Sequence, residues 1–165
     1  MIQEALQTLT TGMSLSVEDA TAVAEEIMTG EATPAQIAGF LVALRMKGES
    51  VAEITGMAKV MRQKALHVLT GSEVLDVVGT GGDGSDTFNI STAAMLVSAA
   101  AGIPVAKHGN RAASSKSGAA DILESNGVKL ELTPDAVSRC IDELNLGFMF
   151  APTFHPAMRF AGPVR

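Results

Sequence analysis

The 165-residue sequence has no tryptophan and no tyrosine, and six phenylalanines are its only benzenoid side chains. That excludes the aromatic platforms on which single-stranded nucleic acids stack. Positive charge is scarce too. Twelve lysines and arginines against 18 aspartates and glutamates leave a formal charge of −6, the wrong sign for a general nucleic-acid surface. The single cysteine, Cys140, cannot form an internal disulfide and suits a reducing compartment. The most apolar stretch, residues 93–106, is interrupted by Ser98, Gly102 and Pro104 and is too short to cross a bilayer. Glu4, with no early lysine or arginine, lacks the form of a secretory signal. These absences predict a soluble cytoplasmic protein that touches neither nucleic acid nor membrane. An anionic ligand would have to be held by a few placed groups rather than by net charge.

Apolar residues are plentiful: 47% of the chain is hydrophobic and 18% charged, which is enough for a packed core. The first third predicts amphipathic helices with clear punctuation. Ser16 and Asp19 open one whose inner face is Ala20, Val23, Ala24 and Ile27, ending at Gly30. Thr33, Pro34 and Gln36 form a cap, a first-turn proline and a capping-box partner before Ile37, Phe40, Leu41 and Leu44. Ser50 and Glu53 open a third, with a stripe of Ile54, Met57, Ala58 and Met61. After Gly71 the pattern changes. Residues 74–78 read as a short buried strand, 92–101 as a helix buried on most sides, and 103–106 as a strand. Residues 117–124 read as a helix, 128–132 as an alternating strand, and 147–150 as a final strand. Thr133-Pro134 starts a helix with Val137, Cys140, Ile141 and Leu144 inside. Alternating strands and helices point to an α/β fold: a small helical bundle over residues 1–70, then a mainly parallel sheet flanked by helices over 71–165.

Chemistry concentrates where the strand at 74–78 ends. Gly79-Thr80-Gly81-Gly82-Asp83-Gly84 lets the backbone approach a ligand without Cβ interference, and successive N–H groups in such a turn form an anion nest. Asn89, Ser91 and Thr92 then bring side-chain donors to a helix start, whose partial positive charge also favours anions. No Gly-Lys-Ser/Thr follows, so the loop is not a P-loop, and the helix starts too late for a dinucleotide fingerprint. Asp83 and Asp86 would repel a bare phosphate. Their presence implies hydroxyl recognition or an intervening Mg²⁺. Farther on, Lys107, Arg111 and Lys116 form the densest basic cluster, and Ser114, Ser115 and Ser117 precede a helix, a second place for an anion.

Gly79 to Asp83 followed by Asn89-Ile90-Ser91-Thr92 resembles the phosphoribosyl pyrophosphate motif of anthranilate phosphoribosyltransferases. Lys107-His108-Gly109-Asn110-Arg111 with Ser114-Ser115-Lys116-Ser117-Gly118 resembles the family's second motif. The resemblance runs through nearly the whole chain and covers the first half of the family's length, so most of the sheet and a downstream Asp-Glu magnesium pair lie outside it. A half-sheet is expected to expose an unpaired edge and apolar faces.

The resemblance implies phosphoribosyl pyrophosphate binding by Gly79, Gly82, Asp83, Thr87, Asn89, Ile90, Ser91, Thr92, Lys107, Ser115 and Ala119. It likewise implies anthranilate contacts from Gly79, Asn110, Arg165 and His108, with Ser91 as the magnesium-contacting serine. His155 lies in a stretch matching the acceptor region, and position 119, serine in some members, is alanine here. The implied activity is transfer of the phosphoribosyl group to the amine of anthranilate, in tryptophan biosynthesis, by a homodimer assembled through the N-terminal helices. Anthranilate's amine is neutral at pH 7, so no catalytic base is named. Two rivals stand beside this reading: a pyrimidine nucleoside phosphorylase, which shares the architecture, and a non-catalytic ligand-binding or dimerisation fragment.

Overall fold

The structure, a computed structural model, describes residues 1–79, 87–112 and 117–164. Its contacts divide the chain into two compact units, Met1–Ala65 with His155–Arg165, and Leu66–Phe154.

The first unit is built on four helices: α1 (Ile2–Thr10), α2 (Val17–Thr29), α3 (Pro34–Lys47) and α4 (Val51–Lys64). The punctuation read from the sequence sets three of these starts. Ser16 accepts from the Asp19 N–H, and Thr33 with Gln36 and Ser50 with Glu53 both close capping boxes. Gly30 and Gly48 end α2 and α3 at positive φ, where only glycine is unstrained. The expected stripes of α2 and α3 are in the core, with Ala20, Val23, Ala24, Ile27, Ile37, Phe40 and Leu44 buried and Leu41 packed against them. No helix was expected at α1, which carries no side-chain cap yet buries Ile2, Ala5 and Leu9 on one face. Tertiary packing, not local signalling, holds it.

The face of α4 differs from expectation. Its buried positions are Glu53, Gly56 and Val60, while Ile54 and Ala58 are exposed. Glu53 turns inward to cap its own helix and to bind Leu15, and this rotates Ile54 outward. Gly56 lets α2 and α4 touch backbone to backbone. A Cβ there would lie 2.6 Å from the Val17 carbonyl oxygen and 2.8 Å from the Thr21 nitrogen. Gly56→Ala is therefore expected to destabilise the chain by about 1–3 kcal/mol through overpacking, despite a gain of about 1 kcal/mol in helix propensity. Thermal unfolding checks this, and an unchanged or higher melting temperature would refute the close approach.

In the second unit, β1 (Val105–Gly109) and β2 (Leu146–Phe150) pair in parallel, Val105 opposite Leu146 and Gly109 opposite Phe150. Helices α5 (Ile90–Ala100), α6 (Ala119–Ser125) and α7 (Pro134–Leu144) surround them, and α8 (Ala151–Phe154) follows β2. Leu75 forms a parallel bridge to Val105, so β1 lies between that segment and β2. Strand side chains alternate faces. Val105, Phe148 and Phe150 share a core with Met95 of α5 and Leu123 of α6, whereas Ala106 packs with Val137, Ile141 and Phe154. Lys107 follows the period-2 alternation and shares the Val105 side. The α/β class with a parallel sheet and flanking helices is as expected.

Four local expectations are corrected. Residues 74–78 hold one bridge rather than a buried strand, with Leu75 and Val78 exposed. Residues 128–132 form no strand; Leu130 is buried and Leu132 packs half-buried against the Ala106 cluster. Helix α5 buries Thr92 and Met95 alone, and Val97 is 70% exposed. On α7, Leu144 faces solvent. The first and third share a cause: among the described residues the sheet has two strands, so a composition suited to burial on both sides has a partner on only one. No helix among the described residues is long and apolar enough to cross a membrane.

Candidate functional site

Lys107 is the centre of the candidate site. It lies in the middle of β1 with 1% of its surface exposed, a rare placement for a lysine. Its Nζ donates to the Val77 carbonyl and, at 3.0 Å, to Ser91 Oγ. The ammonium thus joins the last residues before the glycine-rich segment to the first turn of the helix after it. Burial lowers its pKa from 10.5, and the nearby charge of Asp76 partly restores it. Among the described residues no ion pair involves Lys107; the oxygens it binds are neutral. A desolvated cation held by neutral acceptors, on a parallel strand and beside the start of a helix, is placed to meet an anion.

The start of α5 is built around Asn89. Its Oδ1 accepts from the Thr92 N–H at 3.1 Å, from Thr92 Oγ1 at 2.7 Å and from Ser91 Oγ at 3.3 Å. Thr92 is buried by this cap, while Ser91 remains partly exposed and touches both Asn89 and Lys107. Gly79, Thr87 and Ile90 are exposed, and a Cβ at Gly79 would meet nothing within 4 Å. Of the residues expected to hold phosphoribosyl pyrophosphate, Asn89, Ser91, Thr92 and Lys107 therefore form one hydrogen-bonded group. Gly82, Asp83 and Ser115, with Asp86, Ser114 and Lys116, lie outside the described residues, as does Arg165.

The second motif follows β1. His108 is half-buried, and its N–H donates to Asp76 Oδ1 at 3.4 Å. The Asn110 carbonyl accepts from the Ala120 N–H at 3.2 Å, while Asn110 Oδ1 accepts from the Arg111 N–H at 2.8 Å. Ala119, buried, begins α6. Arg111 does not point to an open anion site. It forks onto Glu124 at 2.6 and 2.9 Å and reaches Asp121 at 3.3 Å. Asp121 Oδ2 also takes the Gly118 N–H, so the start of α6 already has its own anion. His155 belongs to the other compact unit. Asp76 and Asp121 were missed from the sequence. Asp121 carried a signal, an acidic residue in the first turn of a helix, whereas Asp76 carried none.

Magnesium binds oxygen, usually through one or two carboxylates plus phosphates and water. Among the described residues no group of three His, Cys, Asp or Glu could hold a metal, and the expected ligand Ser91 sits 3.0 Å from the Lys107 ammonium. One hydroxyl beside a cation fits a magnesium ion carried in on phosphate oxygens better than a resident ion.

Known proteins resemble this chain along nearly its whole length. The anthranilate phosphoribosyltransferase of Chloroflexus aurantiacus is 60% identical over 164 residues, 99% of this chain and 48% of that protein. That of Dehalococcoides mccartyi is 56% identical over 165 residues, 100% of this chain and 48% of its own length. The chain spans about half the length of the curated relatives it matches. Among solved structures, the Thermus thermophilus anthranilate phosphoribosyltransferase superposes with a TM-score of 0.87 at 50% identity, covering 98% of this chain and 49% of that one. The Saccharomyces cerevisiae enzyme in complex with PRPP and Mg gives 0.88 at 28% identity, covering 99% and 50%. The helical bundle domain of a glycosyl transferase family matches residues 3–65 and its a/b domain residues 71–165, so the chain belongs to that glycosyl transferase family.

Proposed function

We propose that the chain is the phosphoribosyl pyrophosphate-binding half of an anthranilate phosphoribosyltransferase, acting in tryptophan biosynthesis. One observation carries the reading: the buried Lys107 ammonium bridges Val77 and Ser91, the two flanks of the glycine-rich segment. Residues 1–70 would be the helical domain and 71–165 the first part of the α/β domain; by contacts alone, His155–Arg165 groups with the helices.

In the reaction proposed, pyrophosphate leaves the anomeric carbon of ribose and the amine of anthranilate takes its place. Negative charge grows on the leaving group, so the chief requirement is a preorganised set of positive groups around it. Lys107 supplies a full charge at low dielectric. Helix α5 adds the partial charge of its N-terminus, with Asn89 fixing the first turn. Ser91 would offer an oxygen to Mg²⁺, which when bound neutralises phosphate charge. Gly79, Gly82, Asp83, Thr87, Ile90, Thr92, Ser115 and Ala119 complete the proposed diphosphate and ribose contacts. Asn110, His108 and Arg165, with Gly79, are the proposed anthranilate contacts. Cytoplasmic location accords with the unpaired Cys140. Assembly as a homodimer through the N-terminal helices is supported by Val42 and Met46 on α3 and Val51 and Ile54 on α4, all exposed.

Thermal shift tests the core of this. Phosphoribosyl pyrophosphate with Mg²⁺ at about a hundred times its Kd should add about 2.7 kcal/mol of stability, read as a rise of several degrees. A chain unmoved by that ligand but stabilised by inorganic phosphate and thymidine would be a nucleoside phosphorylase instead.

A further inference from the structure

We propose that Asp121, which contacts no substrate in the reading above, is a positioning residue for the anthranilate side of the site. The inference rests on that reading. The Asp121 Oδ2 accepts two backbone N–H groups, from Ala112 at 2.9 Å and from Gly118 at 2.8 Å. These residues bracket the serine-containing part of the second motif. The chain segments carrying them are in direct contact. A Cβ at Gly118 would lie 2.4 Å from the Ala112 nitrogen and 2.7 Å from the Asn110 carbonyl oxygen. Gly118 is glycine because backbone already occupies that space.

Asn110 is thus held from two directions. The first turn of α6 binds its carbonyl through Ala120, and the Asp121 clasp fixes Ala112 two residues later. The clasp is itself anchored. Arg111 reaches Asp121 Oδ1 at 3.3 Å, forks onto Glu124, and lies 5.7 Å from the Phe150 ring centre at the end of β2. Chemistry singles out aspartate. Two N–H donors and a guanidinium converge on one side chain, so every lone pair facing them must be an acceptor. Asparagine can still turn its oxygen to the two amides, but it then presents NH₂ to Arg111. Alanine keeps nothing. Of the proposed diphosphate contacts only Ser115 and Ala119 lie near the clasp in sequence, whereas Asn89, Ser91, Thr92 and Lys107 form a bonded group of their own, so its loss should weaken anthranilate more than phosphoribosyl pyrophosphate.

Anthranilate binding followed by its fluorescence, and phosphoribosyl pyrophosphate with Mg²⁺ by calorimetry, test this on the chain carrying Asp121→Ala or Asp121→Asn. The alanine variant is expected to lose about tenfold or more in anthranilate affinity, with phosphoribosyl pyrophosphate changed by less than about threefold. The asparagine variant should recover most of that loss. Amide exchange at Ala112 and Gly118 should quicken in the alanine variant and stay slow in the asparagine one. Unchanged anthranilate affinity in the alanine variant, or equal loss of both ligands, would overturn the proposal. If the alanine variant does not fold, the asparagine variant decides alone. A selective weakening of anthranilate by about two- to threefold supports the clasp, and no change or an equal change in both ligands refutes it. Should the unaltered chain bind neither ligand, the functional reading fails and this role falls with it. Failure of the clasp alone leaves wild-type binding intact.

Discussion

Lys107→Met is expected to weaken phosphoribosyl pyrophosphate binding by about a hundredfold or more while leaving the fold as stable as before, or more so. The two halves of that result have one cause. A lysine 1% exposed has given up its hydration, and the neutral oxygens of Val77 and Ser91 return only part of the loss. Methionine fills a similar volume without the charge, so the desolvation cost disappears, offset by a Val77 carbonyl that loses a donor. A bound diphosphate reverses the balance, because the buried ammonium then faces a full anion in a low dielectric. The pH dependence follows the same sign. The unfolded lysine titrates near 10.5 and the folded one lower, so the unfolded state holds more protons between those values. Stability of the ligand-free chain therefore rises as pH climbs through the folded pKa, while diphosphate affinity falls over the same range. In Lys107→Met both dependences should vanish. Calorimetric titration and melting at a series of alkaline pH values measure them. Diphosphate affinity equal to wild type, or a larger loss for anthranilate, would remove Lys107 from the proposed site.

Local chemistry determined what was legible in the sequence. Helices α2, α3 and α4 announced themselves because Ser16, Thr33 and Ser50 satisfy the first-turn N–H groups from within four residues. Helix α1 could not, since Met1 offers no cap and its burial depends on partners elsewhere in the bundle. The glycine-rich segment and Asn89-Ile90-Ser91-Thr92 were legible as a loop and a helix start. That Asn89 spends its oxygen on the cap, leaving Ser91 against Lys107, depends on a contact 16 residues away in sequence. The partner of Arg111 is illegible in the sequence for a related reason. A basic residue in a serine-rich loop resembles an anion ligand until Glu124, 13 positions on, is seen to take both ends of its fork. The overexposed face of α5 reflects composition set for a larger sheet than the described strands provide. Periodicity reports which positions suit burial, not what lies opposite.

Glu53→Gln is expected to cost about 3–5 kcal/mol at pH 7, although it changes a single atom. Glu53 is fully buried. Its Oε1 accepts from the Leu15 N–H at 2.9 Å; its Oε2 accepts from the Ser50 N–H at 2.7 Å and from Lys47 Nζ at 2.9 Å. One carboxylate therefore ties the turn after α1, the end of α3 and the start of α4. Lys47 extends the tie to Ser14 Oγ and to the Gly48 carbonyl. Glutamine has one oxygen. Whichever way its amide turns, an NH₂ faces either the Leu15 N–H or the Ser50 N–H and Lys47, donor against donor. Burial alone would raise the Glu53 pKa, but the hydrogen bonds from Ser50, Leu15 and Lys47 outweigh it and bring it from 4.5 to about 2. A depressed carboxylate stabilises the fold above its unfolded pKa, and that contribution fades as pH falls from 4.5 toward 2. The interval corresponds to about 3 kcal/mol at about 1.4 kcal/mol per pKa unit. Urea unfolding of both proteins at pH 7 and pH 3 separates the effects: the wild type should lose part of its margin over the variant on acidification. Removing Lys47 together with Glu53 should restore part of the loss, since no buried charge is then left without a partner. If Glu53→Gln lies within about 1 kcal/mol of wild type at pH 7, the net worth of a single neutral hydrogen bond, the carboxylate is not the tie described.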